Sequence, residues 1–271
     1  MADFKHLLLT RFNVRHAPWR TDKHGNAVLT DEWLEHRFDL FDRYCFPSVA
    51  AQTCRDFQWL VFFDEATPAK QRQRLDRYRA LASFQPEFVT EDTLLDVVRE
   101  RAAGASTLIT SRLDNDDAIH REVIARVQAQ LPVEGLELVN FFEGYFAARD
   151  RIVRVEHPSN MFISMIEPVG SEPFRTVWCS EHTKLDRLGP ILQVTDIPGW
   201  ISVIHDRNLS NEIRDNPSGP FAVLRTAAGR LLRAAGLRRE MPTAEVISRE
   251  FPSNLTLREL AESFGLDPDR V

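Results

Sequence analysis

Cysteine, long apolar runs and excess positive charge are all scarce in this 271-residue sequence, and each scarcity removes a class of protein. The three cysteines, Cys45, Cys54 and Cys179, are odd in number and scattered, which excludes a disulfide framework and lacks the spacing of a zinc site. No apolar run approaches the ~18 residues of a membrane span. The opening Met1-Ala2-Asp3-Phe4-Lys5-His6 leads into only three leucines before polar residues return, too short for a secretory leader. A reducing, cytoplasmic setting is therefore expected. With 34 Lys and Arg against 40 Asp and Glu, the net charge of −6 argues against charge-driven binding to nucleic acid.

What is present is the material of a packed α/β domain, with an apolar fraction of 43%. Short apolar runs alternate with helical patterns in the first half, as in βαβ units. Leu7-Leu8-Leu9 reads as a buried strand that empties into Thr10-Arg11-Phe12-Asn13. A helix is expected around Trp33 to Val49, with Leu34, Phe38, Phe41 and Cys45 on one face. Trp59 to Phe63 forms a second strand ending at Asp64-Glu65, and Thr67-Pro68 reads as the cap and first position of a helix. A third strand over about Thr107 to Thr110 runs into Arg112-Leu113-Asp114-Asn115-Asp116-Asp117, and a helix carrying Ile119, Val123, Ile124 and Val127 follows. Beyond Leu136 the segments Leu138–Phe142, Tyr145–Ala148 and Ile152–Val155 are too closely spaced for crossover helices and are expected to pair antiparallel. Pro217-Ser218-Gly219-Pro220 marks a break, so residues 1–216 are expected to form the main body and 217–271 a helical appendage. Its last helix is opened by the capping box Thr256-Leu257-Arg258-Glu259.

The densest chemical signal is Asp114-Asn115-Asp116-Asp117. Three carboxylates in four residues repel one another unless they share a cation. At the carboxyl end of a strand in an open α/β sheet they stand where ligands bind. Oxygen donors of this kind favour Mg2+ or Mn2+, ions that bridge carboxylates to phosphates. A solvated strand-to-helix turn, with Asp116 or Asp117 as the helix cap, is the other reading. Two further strand ends are polar as well, so one crevice would gather Thr10, Arg11 and Asn13, then Asp64, then Arg112. Asp64 can accept from a base N–H, Thr10 and Asn13 can contact base or ribose, and Arg11 or Arg112 can face a diphosphate.

The stretch Pro47-Ser48-Val49-Ala50-Ala51-Gln52-Thr53 through Phe57 and Trp59–Phe63 to Asp64, followed by Asp114-Asn115-Asp116-Asp117, resembles family-two glycosyltransferases. Leu9-Thr10-Arg11-Phe12-Asn13, Arg112–Asp117 and Trp200–Asn208 are similar to a rhamnosyltransferase family of bacteria, so the resemblance covers roughly Leu7 to Asn211. It implies a GT-A fold, a Rossmann-like mixed sheet flanked by helices. It also implies transfer of a sugar from a nucleotide-diphosphate donor to a saccharide or lipid-linked saccharide acceptor. By the resemblance, Asp64 contacts the base, Asp114 and Asp116 hold ribose and a divalent metal (Mn2+ or Mg2+), and His205 completes the metal site. The sequence departs from the family at Asp64-Glu65-Ala66-Thr67, where Asp-Asp-Gly-Ser is usual.

A proton acceptor for the sugar hydroxyl is sought among Glu143, Glu167 and Glu181, with Glu167 and Glu181 the candidate bases and Glu181 placed just before a helical stretch. Asp117 is expected to cap the helix, and His182 to orient the acceptor or to pack. In the appendage, Leu224, Leu231, Leu232 and Leu237 alternate with Arg225, Arg230, Arg233, Arg238 and Arg239. Such a helix suits either peripheral contact with an anionic membrane or docking on its own domain. Two other classes compete. A nucleotidyltransferase would carry a glycine-rich loop after the first strand, and Thr10–Arg15 has no glycine. A non-catalytic nucleotide-sugar or saccharide-binding module would have no need of both Asp114 and Asp116.

Overall fold

A computed structural model describes residues 3–15, 29–148, 151–170, 173–205, 249–253 and 255–270. Its main sheet has seven strands in the order β10-β6-β9-β4-β1-β2-β3. These are β1 (Phe4–Arg11), β2 (Gln58–Asp64), β3 (Phe84–Val89), β4 (Thr107–Arg112), β6 (Glu137–Phe141), β9 (Ser164–Pro168) and β10 (Ile191–Val194). β4, β1, β2 and β3 run parallel, and antiparallel β9 joins β4 to β6. A second sheet has the order β12-β8-β7-β11-β5, built from β5 (Ala118–Ile119), β7 (Glu143–Ala147), β8 (Ile152–Glu156), β11 (Trp200–Val203) and β12 (Arg249–Pro252). The result is the expected α/β architecture, a mixed sheet flanked by helices.

β1 is an interior strand, and Leu7, Leu8 and Leu9 are buried on both its faces, as a parallel strand between two others must be. Period-two alternation sends Leu8 and Thr10 to one face and Leu7, Leu9 and Arg11 to the other. The first face is aromatic. Phe12 lies 4.4 Å from Phe38 and 4.7 Å from Phe63 between ring centroids, and Phe41 stacks on Trp59 at 5.4 Å. Each ring so buried contributes roughly 1.5–3 kcal/mol. β3 is an edge strand, which accommodates Pro86 without losing an interior ladder bond.

The helix expected around Trp33 to Val49 is three consecutive pieces: α1 (Asp31–Leu40), a π-turn at Phe41–Cys45 and α2 (Phe46–Ala50). Thr30 caps α1 by accepting from Trp33 N. Gln52 explains part of the family-like motif: its amide donates to Ser48 O and His120 O and accepts from Ile124 N, so it is scaffolding.

Several expectations are corrected. α3 (Ala69–Arg74) is capped at Pro68, and the Thr67 hydroxyl bonds Asn13 instead. α4 (Leu94–Ala102) precedes β4, and the helix after the aspartates, α5 (Val123–Gln128), begins only at Val123, because Ile119 lies in β5; Asp117 is therefore no helix cap. The three segments after Leu136 are strands, but β6 belongs to the main sheet while β7 and β8 pair in the second. Gly144 permits the adjacent packing, since a Cβ there would meet the Trp200 indole at 2.1 Å.

The C-terminal residues described do not form a separate appendage. β12 pairs antiparallel with β8. α6 (Leu257–Phe264), opened by the capping box at Thr256 and Glu259, buries Leu260, Ala261 and Phe264 against Tyr145, Ile152 and Ile201. It closes on Gly265 at φ +66°, whose missing Cβ lets it approach Ala51. The leucine- and arginine-rich segment Leu224–Arg239 lies outside the described residues. Among the described residues, no helix is long and apolar enough to cross a membrane.

Candidate active site

β1, β2 and β4 are adjacent and parallel, so their carboxyl ends open at one rim of the sheet, where Arg11, Asp64 and Arg112 emerge on the same face. The Arg11 guanidinium lies 4.6 Å from the centre of the Trp178 ring, with its Nε buried and without a hydrogen-bond partner among the described residues. Burial and the nearby Arg112 cation both lower the pKa of Arg11. Arg112 grips Asp114 with two bonds, Nε–Oδ1 at 3.2 Å and Nη2–Oδ2 at 3.0 Å, and the Asp114 charge raises its pKa against burial. Arg11, seated on the Trp178 ring, and Arg112, at the end of the neighbouring strand, give this rim two guanidiniums that can face an anion. Asp64 accepts from Ala66 N at 2.9 Å and Arg15 N at 3.3 Å, which holds its carboxylate at the rim.

Two nucleotide-contact assignments do not survive this placement. Thr10 is fully buried on the opposite face, where its hydroxyl accepts from Trp59 Nε1 at 2.9 Å. Asn13 is also buried; its Nδ2 donates to Thr67 Oγ1 and its Oδ1 accepts from Asp64 N, pinning the ends of β1 and β2 together. Both residues shape the rim without facing a ligand.

On the other flank of the Asp-rich loop, Asp116 is nearly enclosed. Arg37 Nη1, from α1, donates to its Oδ2 at 2.7 Å, and His205 Nε2 lies 2.9 Å from the same oxygen, 89 residues away in sequence. Burial opposes ionisation of Asp116, but Arg37 and His205 outweigh it and hold its pKa at about 2. Arg37 Nη2 also bonds Asn115 Oδ1, and Asn115 Nδ2 donates to Phe12 O at 2.9 Å. Asp117 is buried and turned inward, accepting from Val203 N at 2.8 Å. Burial and the charges of Asp116 and Asp114 raise its pKa well above the carboxylate range. That bond fastens β11 to the loop and delivers His205 to Asp116. Trp200, whose Nε1 donates to Phe141 O at 3.0 Å, anchors the start of the same strand.

Asp116 and His205 could offer a divalent ion such as Mn2+ one carboxylate oxygen and one imidazole nitrogen. Among the described residues no group of three or more His, Cys, Asp or Glu side chains gathers. Both Asp114 oxygens accept from Arg112, whereas Asp116 and His205 meet at 2.9 Å and are the two expected metal ligands that the fold brings into contact.

The candidate bases separate. Glu167 pairs in register with Leu108, four residues below Arg112 on β4, or roughly 13 Å along the strand. It is 4% exposed with Oε2 unpartnered among the described residues, and burial raises its pKa to about 7 against the opposing Arg175. That position is inside the sheet layer, away from the rim, and it removes Glu167 as a base. Glu143 bonds Arg154 in the second sheet. Glu181 is exposed, pairs with Lys184 at 2.7 Å, and precedes the 3-10 turn His182–Arg187. Its neighbour His182 senses both Arg112 and Asp114, so this turn borders the rim; burial and Arg112 lower the His182 pKa to about 4. His157, 6.2 Å from His182 between ring centroids, is likewise lowered to about 4 by burial. Arg37, His157 and Trp178 carry no signal in the sequence that marks them for this site. No local spacing flags them, because each reaches the rim from a separate segment.

The chain belongs to a glycosyltransferase family. The family model described as "Putative rhamnosyl transferase" matches residues 3–217. No curated protein matches. Among solved structures, S. aureus TarS 1–349 in complex with UDP is similar at 11% identity and a TM-score of 0.45, covering 74% of this chain and 60% of that one. The same protein in complex with UDP-GlcNAc aligns at 11% identity and a TM-score of 0.42, covering 89% and 68%. The chain thus spans about 60% of the first of these proteins.

Proposed function

We propose that this chain transfers a sugar, rhamnose or a close relative, from a nucleoside-diphosphate donor to a saccharide or lipid-linked saccharide hydroxyl in bacterial polysaccharide assembly. The observation that carries the reading is the meeting of Arg11, Asp64, Arg112 and Asp114 at one rim, with Asp116 and His205 2.9 Å apart beside them. Asp64 would accept from the base, Asp114 would hold the ribose, and Arg11 with Arg112 would face the diphosphate. Asp116 and His205 would hold a divalent metal, which neutralises charge on the departing diphosphate. Glu181, on the turn bordering the rim, is the remaining candidate to take the acceptor proton. The sugar identity rests on the family alone.

The test is thermal stabilisation by a panel of nucleotide sugars with and without Mn2+, followed by transfer assays on the stabilising donors. The panel includes rhamnose linked to dTDP, UDP and GDP, and also UDP-GlcNAc, the ligand of S. aureus TarS. Stabilisation by one donor in a manganese-dependent way is expected. A chain indifferent to every nucleoside diphosphate would overturn the proposal.

A further inference from the structure

The Asp-rich loop carries far less free charge than its sequence suggests. Asp114 is paired with Arg112, Asp117 is inward and bonded to Val203 N, and Asp116 is bonded by Arg37. Arg37 is the unexpected member. Its side chain is 14% exposed and that of Asp116 7%, so solvent screens their attraction weakly. One guanidinium spans both Asn115 and Asp116, and the Trp33 indole lies 5.3 Å away. Its Nε is buried without a hydrogen-bond partner among the described residues, so the group is held through two of its three nitrogens. The same Nη1 lies 3.5 Å from His205 Nε2. A cation is therefore already seated against both side chains assigned to the metal.

We infer that Arg37 is a tethered counter-ion that excludes free divalent metal from Asp116 and His205, and that moves onto the donor's diphosphate when metal and nucleotide arrive together. The inference rests on the metal assignment proposed above. A divalent ion entering alone must sit beside a fixed positive charge and compete for the carboxylate oxygen already accepting from Arg37. A nucleoside diphosphate changes both conditions, because its negative charges offset the repulsion and its oxygens offer the guanidinium a bidentate partner. Metal binding then depends on nucleotide binding, and by linkage each strengthens the other. Arg37 is thus a positioning residue for the metal and a contact for the diphosphate.

Mn2+ binding to the full chain is measured by water-proton relaxation enhancement, alone and with UDP, dTDP or GDP, for the wild type, Arg37→Gln and Arg37→Lys. The wild type should take up Mn2+ weakly alone and strongly with a nucleoside diphosphate. Arg37→Gln should bind Mn2+ alone roughly tenfold tighter or more, as expected for removal of a nearby like charge, while its affinity for the nucleoside diphosphate falls. A purely structural role would not move these two affinities in opposite directions. Arg37→Lys keeps the charge but cannot span Asn115 and Asp116, so it should shift both affinities the same way by less; it serves as the test if Arg37→Gln does not fold. Asp116→Asn added to Arg37→Gln should abolish the gained binding. Equal Mn2+ affinity in wild type and both variants without nucleotide, with nucleotide-dependent uptake retained, would overturn the role of Arg37 and leave the metal site standing. Absence of Mn2+ binding in every protein under every condition would overturn the metal site itself.

Discussion

Replacing Glu167 with Gln separates a buried structural carboxyl from a catalytic base. The folded protein raises the Glu167 pKa from its ordinary 4.5 to about 7, because ionisation in the sheet layer forfeits hydration. A raised folded-state pKa means the native chain binds more protons than the unfolded one between those values. The carboxyl's favourable contribution is therefore complete below pH 4.5 and is lost as pH rises through about 7. Each unit corresponds to about 1.4 kcal/mol, so the cost of the charge approaches roughly 3 kcal/mol at pH 8 and stays under about 1 kcal/mol at pH 5. Glu167→Gln has the same shape and cannot ionise. Its melting temperature should match the wild type near pH 5 and exceed it by several degrees at pH 8, at about 2 °C per kcal/mol for a chain of this size. Sugar transfer at the permissive pH should be unchanged, because Glu167 lies four residues below the rim. Melting curves at pH 5 and 8, with transfer measured on the same samples, check both halves. A Glu167→Gln protein that melts like the wild type at both pH values but no longer transfers sugar would refute the reasoning.

Asp116→Asn should abolish transfer and manganese-dependent stabilisation by donor while preserving the circular dichroism spectrum; retained transfer under chelator would speak against the site. Asp117→Asn keeps an oxygen for Val203 N and should be tolerated, whereas Asp117→Ala orphans that N–H, costs about 1–3 kcal/mol and releases His205; equal damage from both, in melts and transfer assays, would contradict the role of Asp117 as the acceptor for Val203 N. Thr10→Val should cost about 1–3 kcal/mol by stranding Trp59 Nε1, yet leave nucleotide affinity at the permissive temperature intact in calorimetry. Phe264→Ala opens a cavity under the second sheet and should cost about 3–5 kcal/mol by denaturant unfolding; a free C-terminal appendage would lose almost nothing.

Much of the fold was legible because period-two and helical apolar patterns are local properties. β1, β2 and β4, their polar ends and the capping box of α6 follow from residues that are neighbours in sequence. β3 was not legible, since Phe84-Gln-Pro-Glu-Phe-Val89 mixes proline and charge and only its edge position makes that acceptable. Within the site, the sequence placed Arg11, Asp64, Arg112 and Asp114 at strand ends. Alternation along β1 already assigns Thr10 and Arg11 to opposite faces. Which of those faces is core and which is rim depends on what packs against the sheet, so only the tertiary structure sends Thr10 to Trp59 and Arg11 to Trp178. The partners of Asp116 were beyond any local reading. Arg37 comes from α1 and His205 from beyond β11, and they act on Asp116 only because folding places them within 3 Å of one buried oxygen. Sequence determines which side chains can carry charge and where strands end. Through-space distance and loss of solvent decide which of those charges neutralise one another, and these exist only in the folded chain.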